Sequence, residues 1–128
     1  MGVTPTTEST VQTIAKSPMS KEQMLRWVLG DNPRVHELCG EWLRLVMEGV
    51  MMRITAPMTF TPEQLQGLQV PVLLVLGTKD PLVGDPENVK QLTRHVPDIQ
   101  IEVLDTGHLI SAEQPETVNT LIHDFFTS

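Results

Sequence analysis

Hydrophobic positions along the chain change rhythm near residue 70. Before it they recur at helical spacing. Met24, Leu25, Val28 and Leu29 form one stripe, and Ser20 with Gln23 three positions on makes a capping box at its start. Gly30-Asp31-Asn32-Pro33 stops that helix, and Pro33 suits the first turn of a second one running to about Met52. Val35, Leu38, Cys39, Trp42, Leu43, Val46, Met47, Val50 and Met51 give the second helix a wide apolar face, so it is expected to pack against more than one neighbour. Thr61-Pro62-Glu63 starts a short helical turn ending at Gly67.

Beyond residue 70 the pattern reads strand, helix, strand, helix. Val70 to Leu76 is a short apolar run closed by Gly77, the signature of a strand buried on both faces. Asp85 caps a helix with Pro86 at its first position, and Pro97 ends it. Ile99, Ile101 and Val103 alternate with Gln100, Glu102 and Leu104, a strand with one wetter face. A last helix spans about Pro115 to Phe126, with Val118, Leu121, Ile122, Phe125 and Phe126 as its stripe. A strand–helix–strand unit of this size makes a right-handed parallel crossover. The class is α/β, with three segments: a flexible arm over 1–19, a helical segment over 20–66, and the strand–helix–strand–helix part over 67–128.

The 128 residues carry a net charge of −7. An acidic surface repels phosphate backbones and anionic lipid, so neither nucleic acid nor a membrane is the expected partner. Cys39 is the one cysteine. It excludes an internal disulfide, and the surrounding residues offer no zinc spacing, so no metal and no cofactor are expected. A cytoplasmic setting and a small buried hydrophobe at Cys39 follow. His36 and His123 fall on helices without metal-ligand company, and His95 falls in a last helical turn.

In a parallel sheet, ligands bind beyond the carboxyl ends of the strands. Two loops leave such ends here, Gly77–Val83 and Asp105–Leu109. Adjacent strands lie about 4.8 Å apart, so Asp80 in one loop and His108 in the other are within reach of a hydrogen bond. A carboxylate that holds one ring N–H fixes the tautomer, which frees the other ring nitrogen for general base and acid work.

Pro71-Val72-Leu73-Leu74-Val75-Leu76-Gly77-Thr78-Lys79-Asp80, then Gly107-His108-Leu109, then Glu113-Gln114-Pro115-Glu116-Thr117-Val118, together resemble the end of an α/β-hydrolase. The resemblance covers about residues 68–126 and implies a partial α/β-hydrolase fold. In that family the aspartate loop supplies the triad acid and the glycine-histidine pair supplies the base, which makes Asp80 and His108 the catalytic candidates. Residues 20–66 would correspond to the family's helical lid. Leu82, Val83, Leu109, Trp42, Met47 and Met51 are then candidates to line a substrate pocket. The implied reaction is hydrolysis of an ester or similar carbonyl substrate.

The family's nucleophile elbow, G-x-S-x-G, is absent: Ser9, Ser17, Ser20, Ser111 and Ser128 all lack glycines at that spacing. Asp80 and His108 have no nucleophile in this chain to activate. The expected partners are a segment that completes the site, or further copies of the chain. A strand apolar on both faces with one neighbour leaves an edge that invites pairing. The alternative function is a non-catalytic binding or oligomerisation module.

Overall fold

The computed structural model describes residues 20–50 and 58–128. The arm over 1–19, and the candidate Met51, lie outside the described residues.

The first two helices form a packed pair built on local signals. Helix α1 is Lys21–Leu29. Ser20 Oγ accepts from the Gln23 amide at 3.2 Å, and Gln23 Oε1 accepts from the Ser20 amide at 2.9 Å, closing the capping box. At its other end the Gly30 amide donates to the Arg26 carbonyl. The His36 Nε2–H donates to the Gly30 carbonyl at 2.6 Å, so this histidine ties the start of the second helix back to the end of the first. Helix α2 is Pro33–Gly49, capped by Asn32. It ends earlier than the apolar pattern suggests, because Val50 is already extended. Glycine followed by a β-branched residue is a poor helical terminus to continue.

Leu25, Leu29 and Val35 are buried between these helices, and Cys39, Leu43 and Met47 pack against them half-buried. That stripe recurs every four residues along α2. The neighbouring stripe, Leu38, Trp42 and Leu45, is exposed. Helix α2 does meet two elements, α1 and the short helix after His108, but they share one face of it.

After a one-turn helix α3, Pro62–Gln66, with its own Thr61–Gln64 capping box, the chain enters strand β1, Val72–Gly77. Helix α4, Pro86–Thr93, starts on Asp85, whose Oδ1 accepts from the Glu87 amide at 2.9 Å. It stops at Thr93, which leaves His95 beyond the helix rather than in its last turn. Strand β2, Ile99–Leu104, then pairs parallel with β1 in the register Val72↔Ile99 to Gly77↔Leu104. Helices α5, Ile110–Glu113, and α6, Pro115–Thr127, close the chain.

Strand β1 is not buried on both faces along its length. Only Leu76 and Gly77 are buried, and Val72 to Val75 are half-buried. Among the described residues the sheet has two strands, so each keeps a free edge, and too little packs over it to cover both faces. On α6 likewise Val118, Leu121 and Phe125 are half-buried, while Ile122 and Phe126 face solvent. Burial concentrates instead at the carboxyl ends of the strands.

Candidate active site

Gly77 sets the geometry of these ends. A Cβ placed on it would lie 2.5 Å from the carbonyl oxygens of both Thr106 and Gly107, and 2.8 Å from Thr106 Oγ1. Real side chains do not tolerate such approach, so only glycine lets the two loops come together here. The parallel ladder then continues past both strands. The Thr78 amide donates to the Leu104 carbonyl and the Lys79 amide to the Thr106 carbonyl, each at 2.9 Å. Thr106 is fully buried beneath this contact.

The ladder delivers Asp80 to a buried position, 5% exposed. Burying a carboxylate is costly unless its oxygens are partnered. Oδ1 accepts from the Leu82 amide at 2.9 Å and more weakly from the Val83 amide at 3.4 Å, folding the loop around the side chain. The Asp80 carbonyl accepts from the Gly84 amide at 3.0 Å. Gly84 sits at φ +75°, the left-handed region that glycine enters without strain. Oδ2 remains, and it accepts from His108 Nδ1–H at 2.9 Å. A carboxylate can only accept, so a proton sits on Nδ1, and in the neutral ring Nε2 then carries the lone pair. No described residue hydrogen-bonds Nε2, and the His108 side chain is 37% exposed. The pair therefore has a buried anchor and an accessible basic nitrogen.

The loops are tied a second time on their outer face. Asp105 Oδ1 accepts from Thr78 Oγ1 and from Lys79 Nζ, both at 3.1 Å. The Lys79 ammonium and the Thr78 hydroxyl hold the Asp105 carboxyl below its usual range. Both ionic side chains are largely exposed, so this tie is the weaker one.

One contact at the site was not anticipated from the motif. Glu113, on α5, accepts from the Gly107 amide through Oε2 at 2.8 Å. The glutamate stands in the stretch that resembles the family's closing helix, but nothing in the spacing of residues 107 and 113 announces that the chain curls back there.

The pocket candidates separate. Leu82 and Val83 lie half-buried in the loop that wraps Asp80. Leu109 follows His108 and packs, with Ala112, against the helical core that Met47 also joins. Trp42 lies on the exposed stripe of α2 and is 66% exposed. A groove of about 700 Å³ runs between α1 and α2, lined among others by Arg26, His36 and Arg44, but neither Asp80 nor His108 lines it. Among the described residues no group of three His, Cys, Asp or Glu side chains is placed to hold a metal. None of the described helices is long and apolar enough to cross a membrane.

No family model matches the chain. Two curated proteins of Bacillus subtilis (strain 168) are similar to it. The uncharacterized carboxylesterase nap is 30% identical over 118 residues, which is 84% of this chain and 38% of the relative. Carboxylesterase YbfK is 32% identical over 115 residues, 81% of this chain and 38% of the relative. The crystal structure of carboxylesterase CesB (YbfK) superimposes with a TM-score of 0.70 at 30% identity, covering 82% of this chain and 40% of that one. The crystal structure of a Bacillus subtilis naproxen esterase (carboxylesterase NP) superimposes with a TM-score of 0.68 at 29% identity, covering 92% of this chain and 45% of that one. The chain thus spans about two-fifths of the length of the curated relatives it matches.

Proposed function

We propose that this chain, a partial α/β-hydrolase fold whose relatives are carboxylesterases, contributes the acid and base of a Ser-His-Asp triad for hydrolysis of an ester or similar carbonyl substrate. The observation that carries the proposal is the 2.9 Å bond from His108 Nδ1–H to the buried Asp80 carboxylate, with Nε2 left free at the surface. Nε2 takes the proton of an attacking serine hydroxyl and returns it to the departing alcohol. Asp80 holds the ring in the working tautomer and stabilises the imidazolium that forms between those steps. The serine and the oxyanion donors come from residues other than these 128, which contain no G-x-S-x-G. In this reading Leu82 and Val83, which wrap the acid, and Leu109, which follows the histidine, line the substrate side, and Met47 and Trp42 belong to a lid-like cover.

The test is reconstitution. The chain is combined with a segment that carries a nucleophile elbow and its oxyanion donors, and turnover of an activated ester is followed. Asp80→Asn and His108→Ala are each expected to lower kcat by about 10⁴-fold. Turnover that survives His108→Ala sinks the proposal. The chain by itself is expected to turn over no faster than its Asp80→Ala/His108→Ala double variant.

The free edge of β1 and the exposed stripe Leu38, Trp42, Leu45 favour a second reading, an oligomerisation or binding module. That reading expects a defined dimer or larger assembly by light scattering. A monodisperse monomer removes it.

A further inference from the structure

We infer that Glu113 is a positioning residue that holds His108 toward Asp80 by clamping the Thr106–Gly107 peptide, one residue ahead of the histidine. The inference rests on the reading of Asp80 and His108 as acid and base, and it adds a third group to them.

The Thr106–Gly107 peptide is gripped at both ends. Its carbonyl accepts from the Lys79 amide of the acid loop at 2.9 Å. Its N–H donates to Glu113 Oε2 at 2.8 Å. Gly107 is buried and Thr106 is 1% exposed, so water cannot readily replace either partner. A bond from an amide to a carboxylate is shorter and stronger than one to a neutral acceptor. The Thr106–Gly107 peptide plane is therefore fixed against the acid loop on one side and against α5 on the other, with Gly107 the one residue between it and His108.

Glu113 itself is seated. Its own amide donates to the Leu109 carbonyl at 3.1 Å, and the Ala112 amide donates to the same oxygen at 3.0 Å. Leu109 and Ala112 pack on the core of the α1–α2 pair. His108 thus belongs to a short loop whose ends, Gly107 and Glu113, are joined by the carboxylate and whose far side rests on the helices. Gly107 has room for this approach. A Cβ there would meet Glu113 Oε1 at 3.6 Å, an ordinary contact, so the carboxylate rather than steric exclusion holds the strand end in place.

The experiment is proton–nitrogen NMR on the full chain, reading the His108 ring tautomer and the Gly107 amide. In the native sequence His108 is expected to show a protected Nδ1–H resonance. Glu113→Ala is expected to lose that resonance to solvent exchange and to speed Gly107 amide exchange by roughly tenfold or more. Glu113→Gln keeps an oxygen acceptor and is expected to restore both. An unchanged tautomer in Glu113→Ala overturns the inference, as does a Glu113→Gln variant that behaves like the alanine. Should the alanine variant unfold, the native chain decides. The Gly107 amide shift must follow the Glu113 carboxyl carbon as acid is added, and independent movement overturns the inference. Absence of the Nδ1–H signal from the native chain overturns the acid–base reading as well, whereas its presence there and persistence in Glu113→Ala overturns the clamp alone.

Discussion

The helical pair and the two loops at the strand ends are held by different means. The α1–α2 pair buries Leu25, Leu29 and Val35, caps both of its helix starts, and leaves Leu38, Trp42 and Leu45 in solvent. Its cohesion is side-chain packing, which depends smoothly on volume. The loops bury little apolar surface. They are held by a glycine with no room for a side chain, by ladder bonds carried past the strands, and by carboxylates aimed at amides. Such an arrangement is directional and fails abruptly when one part is removed. The contrast shows where this chain is built to tolerate change and where it is not.

The sharpest way to break the comparison is Gly77→Ala. The added Cβ meets two backbone oxygens, which cannot rotate away. A loss of about 4 kcal/mol in denaturant unfolding is expected, with disappearance of the His108 Nδ1–H resonance. A mild effect would show that the loops separate freely. Gly49→Ala is the control, because a Cβ there meets nothing within 4 Å. That change is expected to be neutral or to stabilise by up to about 1 kcal/mol.

Leu29→Ala attacks the other region. Leu29 is 3% exposed, and its truncation is expected to cost about 3 kcal/mol by the same measurement. Because α5 rests on that core, slower recovery of the Asp80–His108 bond would show the helices steadying the site, and an intact tautomer would show the loops to be self-sufficient. Trp42→Ala is expected to change stability by no more than about 0.5 kcal/mol, since Trp42 is mostly exposed. A larger loss would mean that the exposed stripe is covered in solution.

The smallest effect belongs to Asp105. Lys79 and Thr78 lower its pKa below the ordinary 3.8. The folded state therefore favours the charged form, and the tie contributes fully above about pH 4. The contribution fades as pH falls through the lowered value, where the carboxyl takes up a proton in both states. Stability of native chain and Asp105→Asn should differ above that pH and converge below it. A difference that persists in acid would show that the Lys79–Asp105 bridge is not its source.

Much of the fold was readable beforehand because its signals are local. Ser20 with Gln23, Thr61 before Pro62, and Asp85 before Pro86 each mark a helix start within four residues, and each of the three side chains caps its helix. The order strand–helix–strand implied parallel pairing, and parallel pairing placed Asp80 and His108 at the same end of the sheet. Their bond is the one long-range contact that this topology made foreseeable.

What the pattern of residues left open depended on neighbours. Apolar residues on α2 form two stripes that look alike in sequence, yet Val35, Cys39, Leu43 and Met47 pack in the core while Leu38, Trp42 and Leu45 stay exposed. Strand β1 reads as fully buried because it is fully apolar, but burial is a property of what lies beside and above a strand. Helix α5 is four residues long and carries no side-chain cap, so it has no local signature. The grip of Glu113 on Gly107, and the closeness of Gly77 to Thr106, follow once the backbone has turned. Sequence alone determined the elements other than α5, and the two residues that meet across the sheet. Tertiary structure decided which apolar faces are covered and which carboxylates hold the loops, because hydrogen bonds and close approaches depend on positions that chain-local preferences do not specify.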